Sequence, residues 1–309
     1  MKYIVLLLFT SFLWGGNFVV GKFLVNHASP MTITDLRWII AILFLFPIVR
    51  MKEKRKLPPL QSVLPMFLMA LTGVVLFNIF QFVSLQYTTA TTDGLLSTLN
   101  PVSIAVFSYL LTRDKIRPLQ GVALALSFLG VIVFLFNGSI TSLLNFRLNS
   151  GDLWMLAAVG MWGLYSVFGK WAMRHVSPMT STLYSGIFGL LLLVPFNISN
   201  FTVVNFNVQF LCSLLYTGII STVVCMVLWN VGVQKLGPTA AGIFLNFNPI
   251  FTGILAFLFL GEQLSLTQII SGFVVLIGCY LFSRFGYSSP LHGRSIASRN
   301  ETDRSHHLG

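Results

Sequence analysis

Charge is what this sequence has least of. Only 9% of its 309 residues are charged, against roughly 25% in soluble domains. Hydrophobic residues make up 55%, and the mean hydropathy is +0.84. A soluble globular domain is excluded on that ground, leaving an all-α, polytopic membrane protein. Acidic residues are scarcer still, 8 against 19 Lys and Arg, for a formal charge of +11. Nucleic-acid binding would need a basic face on a soluble domain. Here the cations fall in short gaps between apolar runs, so no nucleic-acid partner is expected. Cysteine is limited to Cys212, Cys225 and Cys279, each isolated in an apolar segment, which supports neither a disulfide framework nor a metal site. No Gly-x-Ser-x-Gly, His-Glu-x-x-His or Gly-x-x-x-x-Gly-Lys-Ser/Thr pattern occurs. Neither catalytic residues, a metal, a cofactor nor an ATP-driven step is expected.

Long apolar runs are what is present. A bilayer core of about 30 Å takes roughly 20 apolar residues per helix. Ten such segments are predicted, five in each half. The first five are Ile4–Phe23, Ile33–Val49, Val63–Phe82, Gly94–Leu111 and Gln120–Phe136. The second five are Asp152–Trp171, Thr180–Phe196, Phe210–Val231, Ala241–Leu260 and Thr267–Phe282. Ile4–Phe23 is long enough to span and no small-residue cleavage pattern follows, so it reads as a span rather than a signal peptide. Residues 286–309 are Ser-, Arg- and His-rich without periodicity, and are expected to form a disordered cytoplasmic tail.

An Asn-Pro pair organises each half. Asn100-Pro101 lies inside one apolar segment and Asn248-Pro249 inside another, at a spacing of 148. The same offset superposes Trp14-Gly15 on Trp162-Gly163, His27 on His175, and Ser29-Pro-Met-Thr32 on Ser177-Pro-Met-Thr180. Over Trp14–Thr34, 11 of 21 positions are identical at this offset. The chain thus divides into a repeat over 1–138 and a second over 139–285. Five spans per repeat is an odd number, so the second copy must enter the membrane in the opposite sense. Charge agrees. Arg50, Lys52, Lys54, Arg55, Lys56, Arg113, Lys115 and Arg117 follow spans two and four, whereas the equivalent links of the second half carry no Lys or Arg. The reversal predicts inverted topology with both termini cytoplasmic.

Polar side chains inside spans are the candidates for function, because hydrocarbon penalises them unless they face a cavity or a partner helix. Asp93, Ser97 and Asn100 recur at i, i+4, i+7 and are placed on one helical face. Pro101 cannot donate its backbone bond, which frees the Ser97 carbonyl, and Pro249 likewise frees Leu245. Three readings stand for this element: a broken-helix binding site, with Asn246 and Asn248 beside Asn100, a hinge at Pro101 and Pro249, or a structural proline kink with each Asn bonded to its own backbone. Trp14 and Asn17 share a face, with Trp162 and Tyr165 at the equivalent positions. Asn78 and Gln81 share another, and Trp229 with Asn230 serve in the second half. These are cavity-lining candidates, with interhelical bonding as the alternative for the amides. Arg37 is charged inside span two, where lining, pairing and snorkelling are all open. Lys22 and Lys170 are expected to snorkel. Glu262 and Asp114 are expected to cap the helix after each.

These marks resemble the drug/metabolite transporter superfamily, in its EamA-type ten-helix branch. The resemblance rests on the Trp-Gly of each first span, the Arg37 region, the Asn-Pro element, and Leu-Gly-Glu262 followed by Gln268. The first copy departs, reading Leu-Thr-Arg-Asp114. The resemblance implies two inverted five-helix repeats around a cavity built mainly by the first four helices of each. It also implies outward transport of small metabolites or drugs. The expectation is therefore a secondary transporter of the bacterial inner membrane exporting amino acids or related amphipathic solutes. A channel or facilitative uniporter is the alternative. Its partners would be a small-molecule substrate and the lipid bilayer, with proton coupling through Asp93 left open. The few intramembrane cations argue against phosphorylated solutes.

Overall fold

In hydrocarbon a backbone must bond to itself, which for an apolar run of this length means helix. The computed structural model describes residues 2–53, 57–113, 118–135, 149–263 and 265–286. Expectations placed on Lys54, Arg55, Lys56, Asp114, Lys115, Arg117 and the tail beyond Gly286 lie outside those residues. Among the described residues no strand forms. One antiparallel bridge, Ala28 to Val203, ties two links together.

The helices are α1 (Lys2–Leu24), α2 (Pro30–Lys52), α3 (Leu60–Tyr87), α4 (Ala90–Thr112) and α5 (Pro118–Leu135). They continue as α6 (Ser150–Ala172), α7 (Pro178–Asn197), α8 (Val208–Leu236), α9 (Pro238–Leu260) and α10 (Leu266–Gly286). Among the described residues seven, α1–α4 and α7–α9, are long and apolar enough to cross a membrane. Large apolar side chains such as Val5, Leu43, Phe257 and Phe273 are exposed on the outside of the bundle, which suits lipid and not water.

The repeated Ser-Pro-Met-Thr motif has a local purpose. Ser29 Oγ accepts the Thr32 amide at 3.2 Å, and Ser177 Oγ accepts the Thr180 amide at 3.1 Å. Each serine is thus an N-cap with proline in the first helical turn, at the starts of α2 and α7. At the other ends, Gly261 closes α9 with φ 66°, and Arg113, its equivalent, closes α4 with φ 57°. The departure from Leu-Gly-Glu in the first repeat therefore leaves the left-handed cap in place, on a residue that adopts it less readily.

Helix contacts follow the repeat. α1 packs on α8 and α9, and α6 packs correspondingly on α3 and α4. α2 packs on α8 and α7 on α3, while α5 and α10 pair with one another. Two glycines at repeat-equivalent positions bring one helix against the backbone of another. A Cβ on Gly15 would stand 2.7 Å from Phe251 Cβ and 3.1 Å from the Thr252 nitrogen on α9. A Cβ on Gly163 would stand 2.9 Å from the Ser103 backbone and 2.8 Å from the Phe107 ring on α4.

Two apolar clusters sit at different levels of the bundle. One gathers Phe18, Leu24, Phe82, Leu85, Met155 and Phe210, and the other Leu7, Met66, Met69, Met173 and Val233. On α1, Asn17 falls between them. Because Gly15 and Gly163 meet backbone that cannot retreat, Gly15→Ala and Gly163→Ala should each cost about 1–3 kcal/mol by overpacking. The check is the unfolding midpoint in detergent; an unchanged midpoint for both would contradict the packing.

Candidate functional site

The site begins with irregular turns. α3 widens to a π-helix over Ala70–Leu76, and α8 does so over Tyr216–Val224. α4 tightens to a 3-10 turn at Ser97–Leu99, and α9 at Ile243–Phe247. Each irregularity recurs at the repeat-equivalent place. The 3-10 turns answer the proline problem locally: the Asn100 amide bonds the Ser97 carbonyl, and the Asn248 amide bonds the Leu245 carbonyl. The carbonyls expected to be freed by Pro101 and Pro249 are therefore satisfied without substrate. Tightening the turn by one residue replaces the bond that proline cannot make.

The π segments expose backbone and side-chain acceptors at the same level. Asn78 Nδ2 donates to the Gly73 and Val74 carbonyls at 2.9 and 2.8 Å. Trp14 Nε1 donates to the Ser221 carbonyl at 3.0 Å. Arg37 reaches across the bundle from α2: Nε donates to Thr222 Oγ1 at 2.5 Å, Nη1 to Asn78 Oδ1 at 2.7 Å, and Nη2 to Ser221 Oγ at 3.2 Å. At 3% exposure Arg37 is not snorkelling. Thr217 Oγ1 donates to Asn17 Oδ1 at 3.3 Å.

These groups enclose a cavity of about 30 Å³, lined by Trp14, Asn17, Phe18, Arg37, Gly73, Phe77, Asn78, Gln81, Asn100, Trp162, Met226, Leu245 and Asn248. That volume holds a water or two and no organic solute. Its wall contains buried polar atoms without a hydrogen-bond partner: Gln81 Nε2, Asn100 Oδ1, Trp162 Nε1 and Asn248 Oδ1. Buried polar groups are seldom left unpaired, and four of them on residues lining one space mark it as the candidate site. An aromatic group backs the wall, with Trp14 5.2 Å from Trp162 edge-on, Phe77 4.9 Å from Trp162, and Trp162 5.1 Å from Tyr165 in a stack.

Several sequence candidates fall outside this wall. Ser97 Oγ is spent on the Gly94 carbonyl at 2.6 Å. Asn230 Nδ2 donates to Tyr165 Oη and Thr182 Oγ1, both at 2.9 Å, so that pair is interhelical bonding between α8, α6 and α7. Trp229 packs behind Trp14 and Trp162 at 5.8 and 5.5 Å. Asn246 is buried with both amide atoms unpartnered, away from the cavity.

Asp93 departs further. Placed on one face with Ser97 and Asn100 by spacing, it accepts from Ser84 Oγ at 2.6 Å and is fully buried, and the 3-10 turn at Ser97–Leu99 interrupts the regular period between it and Asn100. Around it stand Lys22, whose Nζ donates to the Leu85 and Thr88 carbonyls at 2.6 and 2.7 Å rather than snorkelling, and Asp152. Glu262 is near too. It caps not the following helix but α4, with Oε1 accepting the Ala90 amide and Oε2 the Thr91 amide, both at 3.0 Å. A carboxylate on the positive end of a helix dipole is favourable. Sequence reading missed Ser221, Thr222 and the π segments; the extra length of α3 and α8, 28 and 29 residues, was the available signal.

Asn78 holds the π turn open with one end of its amide and Arg37 with the other. Asn78→Ala removes one of the three hydrogen bonds of Arg37 and the side-chain bonds to two carbonyls, and should cost about 1–3 kcal/mol. A detergent unfolding midpoint equal to that of the parent would show that the three bonds are not made.

Residues 1–136 and 149–284 each match the EamA-like transporter family. The chain is 30% identical over 278 residues to an uncharacterized transporter of Archaeoglobus fulgidus, covering 89% of this chain and 95% of that protein. It is 26% identical over 296 residues to the S-adenosylmethionine/S-adenosylhomocysteine transporter of Chlamydia muridarum, covering 90% of each. A protein of known crystal structure superposes with a TM-score of 0.67 at 18% identity, over 93% of this chain and 99% of its own, which supports the fold. Both halves of the chain carry the family's pattern and the relatives are transporters rather than enzymes; the chain belongs to the EamA-like transporter family.

Proposed function

We propose that this chain is a secondary transporter that exports small organic metabolites by alternating access. Ten membrane-crossing helices would form two inverted repeats, residues 1–138 and 139–285, with both termini cytoplasmic in a bacterial cell membrane. The observation that carries the reading is the central cavity. Its walls come from both halves, four of its buried polar atoms lack partners, and apolar clusters flank it along the helices. At about 30 Å³ it is too small for a metabolite, since small-molecule sites run to roughly 300–1,000 Å³. Binding therefore needs the helices to part, and opening toward one side at a time is alternating access.

The paired 3-10 turns support the hinge reading of Pro101 and Pro249, because each sits where α4 and α9 change pitch beside the cavity. The contact of Glu262 with the first turn of α4 ties the end of α9 to α4 and acts as a latch at the outer end in this topology. Asp93, buried beside that latch with Oδ2 unpartnered, is the group through which proton coupling would act. The name of the chlamydial relative is consistent with a small organic metabolite as cargo.

Counterflow in proteoliposomes separates a carrier from a channel, since only a carrier shows saturable exchange driven by solute on the far side. Solutes for that assay come from a resistance screen on an overexpressing strain. Pro101→Ala with Pro249→Ala should lower exchange more than it lowers the amount of folded protein, and full exchange in the double variant removes the hinge. Asp93→Asn should make transport insensitive to collapse of the proton gradient; a variant that keeps the parental sensitivity removes Asp93 from the coupling.

A further inference from the structure

Among the described residues the Arg37 guanidinium has no acidic partner. It is buried in the cavity wall, and its hydrogen-bond partners are a threonine, an asparagine and a serine. A buried cation is costly unless an anion offsets it, and an intramembrane cation left with neutral dipoles points to a charge supplied from outside. A guanidinium carries five N–H donors. Thr222, Asn78 and Ser221 take one each from Nε, Nη1 and Nη2. One N–H remains on each of the two terminal nitrogens, and charged donors of this kind are the ones that hold a carboxylate.

We infer that the cavity is a carboxylate site, with Arg37 as the anchor for a monocarboxylate solute that has a flat apolar body. This rests on the transporter reading above and names the cargo class. The body lies against Trp14, Phe77 and Trp162, whose rings already pack together. Asn100 Oδ1 and Asn248 Oδ1, unpartnered acceptors on the same wall, receive a donor on the solute, such as an ammonium, an amide or a hydroxyl. One cation in the wall matches one negative charge. A phosphate dianion leaves a surplus charge in the membrane, and a cationic solute meets Arg37 as a like charge. Asp93 cannot offset the arginine, since it bonds to Ser84 and is not part of the cavity wall.

Three probes share one body and differ in the head group: 3-phenylpropanoate, 3-phenylpropanamide and 3-phenylpropylamine. With the purified full chain in detergent, intrinsic tryptophan fluorescence reports occupancy beside Trp14 and Trp162, and the unfolding midpoint reports it independently. The carboxylate should bind saturably and at least tenfold more tightly than the amide, with no binding of the amine. Arg37→Lys keeps the charge but loses the fork, and should weaken the carboxylate at least tenfold while leaving the amide unchanged. Arg37→Gln should abolish the preference, and if it fails to fold the lysine variant decides alone. The proposal is overturned if the amide or amine binds as well as the acid, if none of the three binds, or if a folded Arg37→Lys keeps the full preference. Counterflow of the same probes tells the two readings apart. Exchange of the amide or amine without preference for the acid keeps the transporter and discards the Arg37 site, whereas carboxylate binding without exchange keeps the site and discards the transporter.

Discussion

Inside a membrane protein every polar group has to find its partner within the chain, because hydrocarbon offers none. The bundle is arranged around that constraint. Hydroxyls along the helices turn back onto carbonyls of their own turn, as Thr10, Thr72 and Ser166 do. Amides and longer side chains tie one helix to another, as Asn230 and Lys22 do. Where the backbone itself is interrupted, the pitch changes to keep its bonds. Two prolines are absorbed by 3-10 turns, and two π segments are braced by Asn78 and Thr222. Four of the exceptions belong to residues lining one small space, the candidate site.

The symmetry of these devices connects sequence to mechanism. A π segment in α3 answers one in α8, and a 3-10 turn in α4 answers one in α9. Yet the side chains placed on this common scaffold differ. Arg37 has Ser185 at the equivalent position, Asn78 has Met226, and Gln81 has Trp229. The first half supplies most of the polar wall and the second half much of the apolar one. Duplication therefore made the scaffold, and divergence made the chemistry within it. The Glu262 contact shows the same divergence at the end of the bundle, since it joins α9 to the start of α4 across the two halves.

Much of the candidate site was legible from residue type and spacing alone. Trp14, Asn17, Asn78, Gln81, Asn100, Trp162 and Asn248 were singled out as polar or aromatic groups within apolar runs, and they surround one cavity. The misplacements share a cause. Face assignments assumed a regular helix of 3.6 residues per turn, and the 3-10 turn at Ser97–Leu99 breaks that period between Asp93 and Asn100. Asp93 consequently faces Ser84 while Asn100 faces the cavity. Likewise a capping carboxylate is read from sequence as serving its own neighbour, whereas Glu262 serves a helix distant in the chain, a choice that only packing makes.

By itself the sequence determined the membrane class, the family, and the duplication at a spacing of 148, because composition, motif and repeat are properties of the chain read in order. It also determined the starts of α2 and α7, whose serine caps and prolines act within one turn. Tertiary structure decided the partners of the charged groups. Whether Arg37 snorkels, pairs with an acid or stands among neutral dipoles depends on what α3 and α8 bring to it. In the folded chain they bring Asn78, Ser221 and Thr222. Local spacing cannot fix such contacts, since their free energies arise between residues 41 to 185 positions apart.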